Sequence, residues 1–302
     1  MSLPFAFLKR PLFAVAVALV FTVVGASAQD VAPVARDLME KYKPALVVVT
    51  IEGTLEASTD GEPLDPRPQS RRTLGVTVND SGLVIVSNSA IDASVGLAGQ
   101  QARTGEDGQV VTIQTAKSLF SVVNISYGDK TSLPGTVVHQ DLDADAAFIL
   151  PDAGAAKRVQ KTFADATLDL SDWGSSAQAA DQVVGLSRSS LAYGYMSTVI
   201  VGRITGVFEG NRRYYVTTAG TAQGIPVFTM DGKAVGVTLE RILDGRRTGI
   251  LGTLSAGSIK TLADLAMGKA ELNPPAPAPV EEAAPAATPA PETPEAPAAP
   301  AQ

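Results

Sequence analysis

Residues 73–91 read TLGVTVNDSGLVIVSNSAI, two short runs rich in β-branched residues on either side of an Asn-Asp-Ser-Gly turn. Alternating or wholly apolar runs of this length, closed by turn residues, are the grammar of short half-buried or buried strands. The same grammar recurs along the chain. Strands are expected over 45–55, 74–78, 83–86, 110–115, 121–125, 136–139 and 146–150, and again over 182–186, 196–208, 214–218, 227–230, 234–239 and 248–253. Helices are expected only at the edges. One runs from Ala32 to Tyr42, with Val34, Leu38, Met39 and Tyr42 at helical spacing and Pro44 as a stop. The other runs from about Ala256 to Met267, capped by Ser255 and ended by Gly268. Residues 56–71 read as a polar loop, 93–108 as a surface insertion and 151–180 as a looser connection. Many short strands in two consecutive sets imply an all-β fold of two six-stranded antiparallel barrels with flanking helices. The hairpin Met230-Asp231-Gly232-Lys233 carries the Asp-Gly signal of a type I′ turn.

The ends of the chain have a different composition. Residues 1–28 carry Lys9 and Arg10, an apolar run and Ala26-Ser27-Ala28, which reads as an export signal cleaved before Gln29; a membrane anchor is the other reading. Residues 273–302 hold ten of the 20 prolines, four Glu and no aromatic residue, too little apolar surface to offset ordering. That segment is expected to be a disordered acidic tail, a spacer to the cell wall or a partner ligand. The division is then 1–28 signal, 29–155 helix and first barrel, 156–269 second barrel and closing helix, and 270–302 tail. The formal charge is −7, and loss of Lys9 and Arg10 with the signal leaves 22 basic against 31 acidic residues. Such a chain is a poor match for phosphate backbones, so no nucleic-acid partner is expected. With no cysteine and one histidine, disulfides and a thiol nucleophile are excluded, and neither a metal nor a cofactor is expected.

The order of landmarks resembles that of the HtrA-type, trypsin-like serine proteases. KPALVVVTIEG (43–53) is similar to that family's first strand, and GVTVNDSGLVIVSNSAI (75–91) to the hairpin ending in its catalytic histidine. DKTSLPGTVVHQDLDADAAFIL (129–150) is similar to the segment carrying the aspartate, QGIPVFTMDGKAVGVT (223–238) to the segment opened by the serine, and GILGTLSAGSIKTLADL (249–265) to the closing strand and helix. No PDZ domain follows. Carried over residue by residue, the histidine position falls on Ala90, with Ser89 beside it. The aspartate position falls on Asp145 and the serine position on Gln223. The stretch before Gln223 is shorter than the family's oxyanion loop, and Ile225 stands where the motif has its second glycine.

General base catalysis needs a group that takes the nucleophile's proton and returns it, which alanine cannot do. His139 is either an edge-strand histidine or a relocated base. Asp145 either bonds amides at the head of its strand, is solvated, or is a relic with no imidazole to orient. Gln223 either bonds across the old cleft or caps a turn. The corner Gln223, Gly224 and Ile225 is the candidate lining of a peptide-binding cleft. Ser189 and Ser190 read as loop polarity, Trp173 as a loop anchor, and the Arg71-Arg72, Arg212-Arg213 and Arg246-Arg247 pairs as solvated strand ends. The resemblance implies an exported, periplasmic or secreted pseudoprotease that binds or scaffolds a peptide or protein partner in the envelope. The competing readings are a serine hydrolase with a displaced triad and a structural surface protein.

Overall fold

The structure, a computed structural model, describes residues 31–59, 62–104, 109–171, 177–189 and 191–275. The expected signal, Trp173, Ser190 and the tail beyond Pro275 lie outside the described residues.

Two rings of antiparallel strands follow one another. The first consists of β1 (Leu46–Thr59), β2 (Arg67–Thr77), β3 (Val84–Ser87), β4 (Thr115–Ser126), β5 (Ser132–Asp141) and β6 (Ala146–Pro151). They pair in the order β1-β2-β3-β6-β5-β4, and β4 returns to β1. The second ring has β7 (Gln182–Arg188), β8 (Ser197–Phe208), β9 (Tyr214–Thr217), β10 (Pro226–Thr229), β11 (Ala234–Leu243) and β12 (Arg246–Ser255). It is a closed barrel in the order β7-β8-β9-β12-β11-β10, the same connectivity as the first. Closure removes exposed edges, which is how all-β chains of this length avoid edge-to-edge association.

Among the described residues four α-helices accompany the rings: α1 (Val31–Tyr42), α2 (Asn88–Ile91), α3 (Ala153–Arg158) and α4 (Ala256–Leu272). On α1 the buried residues Ala35, Leu38, Met39 and Tyr42 recur at spacings of three and four, one continuous stripe. Ser255 caps α4 by accepting the Ser258 amide. Its buried stripe, including Ile259, Leu262, Ala263 and Ala266, faces the rings.

Three expectations are corrected. Residues 56–71 are not a loop: β1 and β2 run on through most of it, paired from Leu46↔Val76 out to Leu55↔Arg67. Gly268 does not end α4, which continues to Leu272 because glycine weakens a helix without stopping it. The turn at 230–233 is not type I′, which needs two left-handed residues; of Asp231 and Gly232 only Gly232 has positive φ (86°). The Gly232 amide donates to Thr229 O and the Thr229 amide to Lys233 O, a type I turn followed by a left-handed glycine. The boundary expected after residue 155 falls inside α3, and Phe163 and Leu168 still pack on the first ring or the seam. Strand Gln101–Thr104, inside 93–108, pairs antiparallel with Gln109–Thr112 just beyond it.

The apolar interior has three parts. One lies inside the first ring, around Val47, Val49, Ile51, Ile125 and Ile149. A smaller one lies inside the second, around Val183, Tyr215, Ile225 and Val227. The largest lies between them, where Leu83, Ile85 and Phe148 of the first ring meet Leu186, Phe228, Leu239 and Leu254 of the second and the stripes of α1 and α4. Tyr42 stacks on Phe228 with ring centroids 4.5 Å apart. This shared core fixes the two rings together and so positions the polar cluster at their seam.

Candidate functional site

The seam cluster is assembled from four places in the chain. Ser87 ends β3, opposite Ala146. The single turn α2 then turns Ser89 inward. Asp145 sits immediately before β6 in a left-handed conformation (φ 54°), which a short polar side chain tolerates. Its amide donates to Leu142 O and its carbonyl accepts the Asn88 amide at 2.8 Å, so its backbone is fixed to both neighbours.

Asp145 is fully buried. One carboxylate oxygen accepts the Ser89 amide at 2.6 Å. The other accepts the Ser87 hydroxyl, the Ser89 hydroxyl at 3.1 Å and, from the second ring, the Glu240 amide at 2.9 Å. Burial pushes the carboxyl up; the donors from Ser87, Ser89 and Glu240 oppose this and leave a net upward shift. Of the readings open for Asp145, hydrogen bonding at the head of β6 is the one its geometry displays.

Glu240 is the counterpart from the second ring, on β11 at a register shift, with 3% of its surface exposed. Its Oε2 accepts Arg247 Nη2 at 2.6 Å, Arg247 Nε at 3.0 Å, Gln223 Nε2 at 3.1 Å and the Ser89 hydroxyl at 3.1 Å. Its Oε1 accepts the Gly249 amide at 2.9 Å. Burial pushes this carboxyl up, but Arg247 and the Gly249 amide outweigh it and hold the group below the ordinary glutamate value. The Glu240 carboxylate in turn raises the Arg247 guanidinium.

Ser89 stands between the two carboxylates. Its one proton serves either Asp145 or Glu240, and its lone pairs face Gln223 Nε2 at 3.2 Å. The residues therefore form a file, Asp145 to Ser89 to Gln223, joined by hydrogen bonds across the seam. Ala90, the position assigned to the base, is half-buried and contributes no polar group; its neighbour Ser89 occupies the middle of the file.

The other two members of the candidate cleft do not line an opening. Gly224 (φ 81°) lies against the first ring so closely that a Cβ there would fall on the Leu74 carbonyl. Ile225 is 1% exposed and belongs to the core of the second barrel. Of the three corner residues expected to line a peptide-binding cleft, only Gln223 reaches partial exposure. His139 lies on β5 and accepts a hydrogen bond from Lys269 of α4 at 3.0 Å, a proton-donating neighbour that holds its Nδ1 unprotonated. Burial and the Lys269 charge lower its basicity. Its mapped polar contact is with Lys269 and not with the seam cluster. The Ser189 amide donates to Met196 O within its loop.

Chemically, this arrangement is a buried hydrogen-bonded network of two carboxylates with the Ser89 hydroxyl between them. Each oxygen of both carboxylates accepts at least one hydrogen bond, and the serine between them is fully buried. Among the described residues no group of three or more His, Cys, Asp or Glu could hold a metal ion. Sequence reasoning missed Glu240 and read Arg247 only as a solvated strand end, whereas it bonds the Glu240 carboxylate. The available signal was a glutamate inside the apolar strand AVGVTLERIL, seven residues before an arginine in the paired strand. No protein-family model matches the chain, and no curated protein matches it.

Proposed function

We propose that the protein is a non-catalytic relative of the trypsin-like serine proteases, exported to the periplasm or cell exterior, where it binds or scaffolds a polypeptide partner. The observation that carries this reading is the file Asp145–Ser89–Gln223. It spans the junction of two rings of identical connectivity, where the resemblance assigns the acid, the neighbour of the base and the nucleophile. Two features argue against the alternative of a displaced triad. Ser87 and Ser89 are both fully buried, so neither hydroxyl meets a substrate carbonyl. An amide at 223 supplies neither a nucleophile nor a base.

With the corner 223–225 sealed, a partner would meet the outer surfaces of the rings. Export rests on residues 1–28 and predicts a mature N-terminus at Gln29, read by N-terminal sequencing; recovery of Met1 or Ser2 on the bulk of the protein removes that part. The test of the non-catalytic reading is a fluorophosphonate active-serine probe together with an unfolded protein substrate. No labelling and an intact substrate are expected. Stoichiometric labelling at any serine would establish a hydrolase instead.

A further inference from the structure

The first ring is not wholly self-contained. Beyond the ring, the outer halves of β2, β1 and β4 continue as a three-stranded blade, with Gly53–Ser58 of β1 between Arg67–Gln69 of β2 and Thr115–Phe120 of β4. A blade that leaves its ring has two edges, and a strand edge presents unpaired amides and carbonyls to any other strand.

The two edges are built differently. On β2, pairing with β3 covers only Gly75–Thr77, and the open stretch carries Arg67, Pro68, Arg71 and Arg72. Charge and proline are the usual protections of a sheet edge, since proline lacks the donor and arginines must be desolvated. On β4, pairing with β5 covers only Asn124–Ser126. The stretch Thr115–Val123, TAKSLFSVV, has β1 on one side and no backbone hydrogen-bond partner on the other among the described residues. Its only charge is Lys117, and Leu119 and Val122 are each 39% exposed.

We propose that two copies of the chain pair their β4 edges antiparallel over Ala116–Phe120, so that two blades become one six-stranded sheet about a two-fold axis at Ser118. The occupant is a second copy because the stretch complements itself. Antiparallel pairing about Ser118 sets Ala116 of one copy opposite Phe120 of the other on the half-buried face, small against large. On the exposed face it sets Lys117 opposite Leu119, aliphatic stem against aliphatic side chain. No like charges meet, although the chain as a whole is acidic. The assembly also terminates itself. Once the β4 edges are joined, the sheet ends on both sides in the arginine- and proline-bearing β2 edge, so an isologous dimer closes without growing further.

The experiment is sedimentation of the protein as isolated from cells over rising concentration, with hydrogen exchange of β4 at both ends of that range. A monomer–dimer equilibrium is expected, with amides in Ala116–Phe120 gaining protection in the dimer. Leu119→Lys places a cation against Lys117 of the second copy and should weaken the dimer at least tenfold at unchanged melting temperature. Val122→Lys, outside the paired stretch, should leave it intact. The chain lacks cysteine, so Ser118→Cys gives a single thiol on the axis, which should oxidise to a covalent dimer. A strict monomer at every concentration overturns the proposal. So does a dimer indifferent to Leu119→Lys, or one whose protection lies elsewhere. A monomer whose β4 amides are protected only on addition of an unfolded polypeptide also overturns it, and assigns the edge to a foreign strand.

Discussion

The two rings share one strand order but distribute their apolar residues differently. Among the described residues the first encloses a core of fourteen buried residues of its own, whereas the second encloses eight. Both rings also face the seam, the first with Leu46, Val76, Leu83, Ile85 and Phe148 and the second with Val184, Leu186, Tyr214, Phe228, Val237, Leu239 and Leu254, and α1 and α4 cover them. The lesson is that connectivity does not fix where a barrel's stability resides. The first ring is a domain with a blade attached; the second is a domain whose larger core is the interface itself. The seam is apolar in bulk, so the charged cluster within it sets the register of one ring on the other and does not supply the adhesion.

That asymmetry is open to direct attack. Placing a lysine in either enclosed core, as Ile225→Lys or Val49→Lys, leaves an unpaired buried charge and should cost more than about 4 kcal/mol. The consequences should differ. Ile225→Lys should melt the second ring while β4 and β6 keep hydrogen-exchange protection. Val49→Lys should remove protection from both rings, because the second loses the surface it rests on. Equal loss in both variants would break the comparison.

A step smaller is Phe228→Ala, which removes the ring stacked on Tyr42 and opens the seam core. A loss of about 3–5 kcal/mol is expected in denaturant unfolding, with α1 exchanging first.

Smaller again is Glu240→Gln. Removing a carboxylate that Arg247, Gln223 and the Gly249 amide share should cost about 1–3 kcal/mol, below the range for a fully buried pair because the Arg247 side chain is 41% exposed. The pH dependence has a definite sign. The folded value of Glu240 lies below its ordinary value of 4.5, so its contribution is present above that pH and is lost as pH falls through the lower folded value. Asp145 is shifted upward, so its contribution is present below its ordinary 3.8 and fades as pH rises through the folded value. Glu240→Gln should therefore flatten the acid limb of the stability profile, measured by urea unfolding across that range. An unchanged limb would remove Glu240 from the account. The smallest effect is reserved for His139→Gln at the first ring's contact with α4, which should shift stability by no more than about 0.5 kcal/mol in the same assay.

Much of the fold was legible because strand alternation is a strong signal where one face is buried. The two sets of strands, the opening helix and the Ser255 cap all follow from spacing and turn chemistry. Residues 56–71 were misread for the converse reason. In the blade much of both faces meets solvent, so the strands carry polar residues and lose the alternation that marks a half-buried sheet. Asp145 was legible as a position, because a carboxylate before an apolar strand invites amides. Ser89 was noted only as a neighbour, since a one-residue choice within a single helical turn decides which side chain faces inward. Ile225 was misplaced because a motif's corner names a chain position and says nothing about which way its side chain packs. Glu240 escaped since its carboxylate's partners come from other parts of the chain, Arg247 and Gly249 on the paired strand, Gln223 in the corner and Ser89 from the first ring.

The seam core also sets a timetable. The first ring's own core closes with Phe163, while the seam waits for Ala266 of α4. A ribosome making this chain therefore releases one ring able to close while its outer apolar wall, Leu83, Ile85 and Phe148, stands bare until the final helix emerges. Contacts of such long sequence separation form slowly. During that interval the half-made protein exposes an apolar face open to misassociation.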